Sequence, residues 1–186
     1  RNILPSNKSV LEGDWNRSQF KGITLRGKTL GIIGLGRLGN MVLEYGKSFG
    51  MKTIYTDPYV DGGLELPDLL SISDFVSIHV PLTPGTEDLL NSESFKIMKN
   101  TSFLINTSRG KIVNEKALIS SLSRGDISGY GTDVLSNEIS FTSTIQSNLI
   151  EYSKENTNVI ITPHLGGMTT ESREATDIFI SEKVKN

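Results

Sequence analysis

No cysteine occurs in the 186 residues. That absence excludes disulfides, thiolate metal sites and a cysteine nucleophile, and it suits a reducing cytoplasm. No apolar run approaches the ~20 residues that span a bilayer, and no secretory leader opens the chain, so no membrane partner is expected. Charge of one sign is not in excess either. The 19 basic and 21 acidic residues leave a formal net charge of -2, which gives no reason to expect a nucleic acid partner. Histidine is scarce, with two residues, and no metal site is expected. What is present is ordinary for a globular domain. A hydrophobic fraction of 36% with 22% charged residues argues against wholesale disorder. The length suffices for one well-buried domain with room for an appendage. The chain opens on Arg1 rather than Met, which reads as a trimmed piece of something longer.

Along the chain a short apolar run, a Gly-rich or polar turn and an amphipathic helix recur. Residues 28–33 (KTLGII) read as a buried strand that runs at once into GLGRLG and a helix. In that helix Leu38, Met41, Val42, Tyr45 and Phe49 recur at helical spacing and make one apolar face. Further strands are expected at 52–55, 75–80, 103–107, 127–134 and 159–162. A helix over 114–124 turns Ala117, Leu118 and Leu122 inward and is closed by Gly125, and a last helix starts at Thr169. Continuous apolar strands alternating with helices imply an α/β fold, a doubly wound parallel sheet of the Rossmann type with helices on both faces. Residues 28–186 make up this domain. Residues 1–27 do not fit the alternation, and Trp15 and Phe20 there need a burial site, so the segment is expected to pack back on the domain or against a second subunit.

Gly34, Gly36 and Gly39 form G-x-G-x-x-G between the first strand and its helix. The first glycine permits the tight turn, the second lets backbone approach a pyrophosphate, and the third lets helix and strand pack closely. The helix N-terminus offers unpaired N–H groups and a positive dipole end to the phosphates. Such a glycine pattern is weak alone, but here the second strand ends on Asp57, where an acid accepts from the adenosine ribose hydroxyls. A carboxylate there repels a 2′-phosphate, so NAD is favoured over NADP. A methyltransferase using S-adenosylmethionine also carries a glycine-rich first turn, yet it needs no pyrophosphate cradle.

In an open parallel sheet, ligands lie beyond the C-terminal strand ends. Arg109 follows the fourth strand (INTSRG), Glu138 the fifth (GTDVLSNE) and His164 the sixth (IITPHLGG). Taken singly, each has an ordinary reading: a solvated loop arginine, a surface acid, a structural loop histidine. Together they compose one task. An arginine fork holds a carboxylate and polarises the adjacent carbonyl. A histidine moves a proton near neutral pH, and a neighbouring carboxylate favours its charged form and fixes its tautomer. Beside a nicotinamide, these three make a site for interconverting 2-hydroxy and 2-keto acids.

With these motifs in order, the chain resembles the NAD-binding domain of the D-isomer-specific 2-hydroxyacid dehydrogenases, the group that includes phosphoglycerate, glycerate and D-lactate dehydrogenases. The resemblance runs through EGDWNRSQFKGITLRGKTLGIIGLGRLG (12–39), VSIHVPLTPGTEDLLN (76–91), FLINTSRGKIVNEKALISSL (103–122), GTDVLSNE (131–138) and ITPHLGG (161–167). It implies that Arg109 binds the substrate carboxylate and carbonyl, and that His164, paired with Glu138, is the general acid in reduction and the base in oxidation. It also implies that His79, Pro81 and Thr86 line the cofactor, with His79 equally open to a structural role. Asp133 accepts from the nicotinamide carboxamide, Ser108 and Gly167 lie near the same end, and Thr107 belongs to the cofactor set. Arg37 and Leu38, within the glycine motif, complete the cofactor set. A homodimer formed through this domain is implied as well. Some relatives of the family act as NAD-sensing corepressors, and that binding module is the alternative to an enzyme.

Two departures stand out. The family typically has proline after the catalytic glutamate, where this chain has Ile139, and residues 140–158 replace a shorter Pro-rich segment. A second, smaller domain of ~100 residues, which closes over the substrate in such enzymes, has no counterpart before Lys28. The chain therefore reads as a cofactor domain whose isolated form binds NAD but turns over little, because closure excludes water and completes the substrate site.

Overall fold

A computed structural model describes residues 2–138 and 147–184. The departure at Ile139 and the first part of the unusual stretch, 140–146, lie outside the described residues. The apolar runs become strands β1 (Thr29–Ile33), β2 (Lys52–Thr56), β3 (Phe75–Ile78), β4 (Phe103–Asn106), β5 (Gly129–Thr132) and β6 (Val159–Ile161). Helices α1 (Ile3–Leu11), α2 (Arg37–Ser48), α3 (Leu66–Ile72), α4 (Ser92–Ile97), α5 (Glu115–Arg124), α6 (Asn148–Glu155) and α7 (Thr170–Val184) lie among them. Helices α3 and α4 are too short to show a helical period in sequence; with α1 and α6 also unexpected, only α2, α5 and α7 are legible there. Local chemistry starts and stops several of them. Asn91 accepts from the Glu93 and Ser94 N–H groups at the head of α4, and Asn114 from the Ala117 N–H at the head of α5. Gly125, at φ +74°, closes α5 in the left-handed conformation that disfavours a side chain.

All six strands pair in parallel, in the order β2-β1-β3-β4-β5-β6. The chain therefore steps from β1 outward to β2, then crosses to the other side of β1 for β3. The two crossovers leave in opposite directions, and a crevice opens at the C-terminal end of β1. Helices α3 to α6 cover one face and share the main core, built on Leu69, Val76, Ile78, Phe95, Leu104, Leu118 and Leu149. Helix α2 lies on β1 and β2 across the other face, where Leu30, Ile32 and Leu43 form a smaller cluster. Phe75 and Phe103 stack on that side with ring centroids 5.4 Å apart.

One surface differs from the sequence expectation. Most of the apolar stripe of α2 points outward: Leu38, Met41, Tyr45 and Phe49 are exposed, Val42 packs against the inner cluster, and Gly39, Leu43 and Gly46 face the sheet. The glycines win the inner face because a Cβ on Gly39 would stand 2.0 Å from the Gly34 carbonyl oxygen, so the helix lies closer to the sheet than side chains allow. The N-terminal segment meets the domain at its end, where the Gly27 N–H donates to the Gly50 carbonyl, while its larger apolar groups stay mostly uncovered. Trp15 is 87% exposed and α1 buries no residue. The same holds for α7.

At the opposite edge from the crevice, Asp74 ties three strand starts together. Its carboxylate accepts from the Thr29 N–H (2.8 Å) and from Lys99 (3.1 Å), and its carbonyl accepts from the Phe103 N–H. Burial works to raise its carboxyl, but the Thr29 N–H, the hydrogen bond and charge of Lys99, and the charge of Lys28 outweigh it and hold it below the ordinary carboxylate range. A carboxyl depressed on folding contributes stability above its unfolded value of about 3.9 and loses it as pH falls through the lower folded value. Asp74→Ala is expected to cost about 1–3 kcal/mol at neutral pH by urea denaturation. The gap to wild type should narrow below pH ~4; a gap that stays constant with pH would count against this role.

Candidate functional site

The residues at the C-terminal strand ends form a continuous line of contacts. It starts at the glycine loop, where Gly34 takes φ +91° and its N–H donates to the Thr56 carbonyl of β2. A Cβ there would meet the Val80 side chain at 2.7 Å and the His79 backbone at 2.9 Å, so the loop lies hard against the end of β3. Gly36 heads α2 without any side-chain cap, and a Cβ on it would meet nothing within 4 Å. The α2 N-terminus is thus open toward the crevice, with Arg37 and Leu38 exposed beside it. This cradle fits a dinucleotide pyrophosphate. Asp57 stands beside it, with one carboxylate oxygen accepting from the Leu35 N–H (2.7 Å) and the other from the Tyr59 N–H (2.8 Å). It braces the glycine loop and still has lone pairs for ribose hydroxyls.

His79 ends β3 half-buried, and its Nε2 is hydrogen-bonded to Ser77 Oγ at 2.9 Å. Burial pushes its ring below the ordinary histidine value, toward the neutral form. The following loop is folded by Thr86, whose hydroxyl donates to the Pro81 carbonyl (2.6 Å) and accepts from the Thr83 N–H (2.8 Å). From this loop the line passes to β4 through Ser108, whose hydroxyl donates to the Val80 carbonyl. Thr107 is exposed next to it.

Asn106, fully buried at the end of β4, shapes the arginine loop. Its oxygen accepts from the Ser108 N–H and its amide donates to the Arg109 carbonyl, both at 3.0 Å. Arg109 itself is exposed, and its guanidinium donates to the Ser108 carbonyl at 2.7 Å rather than to Glu138. The next residue explains how two loops meet. A Cβ on Gly110 would stand 2.0–2.3 Å from the Leu135–Ser136 peptide, so only glycine lets the arginine loop rest on the loop that carries Glu138. Glu115, first residue of α5, holds that second loop: it accepts from the Ser136 N–H at 2.9 Å and lies 3.4 Å from the Ser147 hydroxyl.

Glu138 and His164 are in direct contact. Glu138 Oε1 accepts from the Leu135 N–H, and Oε2 lies 2.7 Å from His164 Nδ1. His164 takes φ +55°, a left-handed conformation that costs a residue with a Cβ about 1–2 kcal/mol. Asp133 opposes that cost. Its carboxylate accepts from the Thr162 hydroxyl (2.5 Å), the Leu165 N–H (2.8 Å) and the Gly166 N–H (2.8 Å). Hydrogen bonds to a charged group contribute about 1.5–3 kcal/mol each, enough in sum to hold the turn. Burial tends to raise the Asp133 carboxyl, but these three donors and the charge of His164 outweigh it and keep it below the usual range. Gly167 is exposed just beyond.

Sequence reasoning missed Asn106, Gly110, Glu115 and Gly166. Gly110 had a visible signal, a glycine directly after Arg109 in SRGK. The carboxylate of Glu115 reaches partners 21 and 32 residues away, a distance no local pattern encodes.

Comparison with known proteins gives the same assignment. The sequence model of the "D-isomer specific 2-hydroxyacid dehydrogenase, NAD binding domain" matches residues 1–166. A D-3-phosphoglycerate dehydrogenase from Methanocaldococcus jannaschii is 38% identical over 195 residues, covering all of this chain and 36% of the relative. Among solved structures, a D-lactate dehydrogenase from Aquifex aeolicus complexed with NAD and lactic acid superposes with a TM-score of 0.84 at 34% identity. That match covers 97% of this chain and 61% of the other. An acyclic imino acid reductase in complex with NADPH and D-Arg superposes with a TM-score of 0.85 at 30% identity, over 100% of this chain and 59% of the other. The chain thus spans about a third of the phosphoglycerate dehydrogenase it matches. The glycine cradle, the six-stranded parallel sheet and the match over residues 1–166 agree: the chain belongs to the D-isomer-specific 2-hydroxyacid dehydrogenase family, as its NAD-binding domain.

Proposed function

We propose that the longer protein containing this chain transfers a hydride between a nicotinamide and C2 of a 2-keto or D-2-hydroxy acid. The observation that carries this reading is the 2.7 Å contact of His164 Nδ1 with Glu138, on the same sheet edge as the glycine cradle. NAD supplies the hydride acceptor and, reduced, the hydride donor. With Nδ1 turned to Glu138, Nε2 of His164 is the ring atom left to face the substrate oxygen. It gives the carbonyl oxygen a proton in reduction and takes the hydroxyl proton in oxidation. Glu138, itself held by the Leu135 N–H, keeps the ring oriented through Nδ1. Arg109 forks the substrate carboxylate and draws charge from the adjacent carbonyl.

The cofactor side follows the same logic. Gly34, Gly36 and Gly39 admit the pyrophosphate, with Arg37 and Leu38 flanking it, and Asp57 accepts from the ribose hydroxyls. His79, Pro81, Thr86, Thr107 and Ser108 line the nicotinamide half. Asp133 and Gly167 border its carboxamide end. The NADPH held by the structurally similar reductase makes Asp57 the residue to test for nucleotide choice. Its carboxylate favours NAD by repelling a 2′-phosphate.

We also propose that the domain pairs with a second copy of itself, with the domain proper beginning at Lys28. Support comes from two unpartnered apolar surfaces on one chain: the outward stripe of Leu38, Met41, Tyr45 and Phe49, and the N-terminal segment with Ile3, Leu4, Leu11 and Trp15 exposed. Exposed apolar patches of this kind mark interaction sites.

His164→Ala in the full-length protein should lower kcat for NADH-dependent reduction of pyruvate, glyoxylate or hydroxypyruvate by about 10²–10⁴-fold while NADH affinity holds. Equal loss of both would make His164 structural. Asp57→Ala should weaken NADH binding by roughly 10-fold or more and narrow its advantage over NADPH, read by fluorescence titration; unchanged NADH affinity would remove its ribose role. For the dimer, light scattering should report two copies for the wild type and one for Met41→Glu, with NADH binding retained. A wild type that is monomeric at micromolar concentration overturns that proposal.

A further inference from the structure

The turn that presents His164 is organised by one residue on a neighbouring strand. Asp133 directly follows β5, and its own N–H donates to the Asn106 carbonyl of β4 at 3.0 Å, so its backbone is fixed by the sheet. Four positions of the segment after β6 converge on it. The His164 N–H donates to the Asp133 carbonyl at 3.0 Å. The Thr162 hydroxyl and the Leu165 N–H share Oδ1, and the Gly166 N–H takes Oδ2. A Cβ on Gly166 would come within 3.3 Å of Oδ2, so a side chain there crowds the same carboxylate. At the centre of this set of bonds stands His164, one of three residues other than glycine with positive φ among the described residues. Thr162 to Gly166 is a short, solvent-facing stretch, and α7 beyond it buries no residue. The turn has little apolar packing to hold it.

We infer that Asp133 is the positioning residue of His164: its carboxylate and carbonyl clamp the Thr162–Gly166 turn and hold the imidazole in the left-handed conformation from which Nδ1 meets Glu138. This inference rests on the proton-transfer role proposed for His164 and adds a second task to a residue otherwise expected only to meet the nicotinamide. The two tasks use different parts of the residue. The clamp draws on both carboxylate oxygens and the carbonyl, whereas a carboxamide contact needs one free lone pair.

The test combines a spectroscopic reading with kinetics. The chain has two histidines, so selective ¹⁵N-histidine labelling yields two ring systems, assigned by a His164→Gln variant, with His79 as an internal control of folding. In the wild type the His164 ring should show one tautomer with the proton on Nδ1. In Asp133→Ala that signal should move to a tautomer average while the His79 signal stays, and kcat of the full-length protein on a 2-keto acid should fall about 10²-fold, the scale of a 1 Å misplacement. The loss of kcat should exceed the loss of NADH affinity, because the carboxamide contact is only one of the residue's two tasks. Asp133→Asn keeps one acceptor oxygen and should fall between the two. Should Asp133→Ala not fold, Thr162→Val removes a single donor and must move the His164 signal in the same direction. An unmoved His164 signal in the folded variant overturns the inference; combined with a parallel loss of NADH affinity, it assigns Asp133 to the carboxamide alone. Absence of turnover in the wild type sinks the dehydrogenase reading but leaves the spectroscopic test to decide the clamp.

Discussion

Everything chemical in this chain depends on the all-parallel pairing of its six strands, because parallel pairing sends every C-terminal strand end to one edge. Arg109, Glu138 and His164 are separated by 29 and 26 residues in sequence, yet they leave adjacent strands β4, β5 and β6. The glycine loop leaves β1, where the sheet reverses its winding and the crevice opens. An antiparallel partner anywhere in the row would carry one of these loops to the far edge. The physical origin of the arrangement is the burial of both sheet faces, which Val, Ile and Leu strands require and helical crossovers supply.

Along that edge, carboxylates do the local organising. Strand ends and loops leave backbone N–H groups without ladder partners, and leaving a buried N–H unpaired is expensive. Asp57 accepts from Leu35 and Tyr59, Glu138 from Leu135, and Asp133 from Leu165 and Gly166. Glu115 accepts from Ser136. Each acid with a predicted ligand role also stabilises a loop of the site, its own or a neighbour's. A substitution at Asp57, Asp133 or Glu138 therefore removes a loop brace along with any contact to ligand. Glycine complements the acids, since Gly39 and Gly110 allow backbone to meet backbone where a Cβ would collide.

Exposed apolar groups cluster on α1, on α7 and on the outer face of α2. Helices α1 and α7 bury no residue, and the outer stripe of α2 is uncovered. Isolated short helices are marginal in water, and neither α1 nor α7 buries an apolar side chain of its own. The chain spans about a third of the phosphoglycerate dehydrogenase it matches.

The sequence by itself determined the six strands, helices α2, α5 and α7, the glycine loop with Asp57, and the three candidate groups at strand ends, since all of these are local patterns. It could not decide which side of α2 faces the sheet. An apolar stripe at helical spacing fits burial against the sheet or against another molecule equally well, and only the close approach at Gly39 selects the glycine side. Nor could it show how Gly110 lets the arginine loop touch the Leu135–Ser136 peptide, or how Asp133 gathers donors from 29 to 33 residues away. Those contacts are properties of the packed edge, because hydrogen-bond partners so distant in sequence become neighbours only after β5 and β6 have paired.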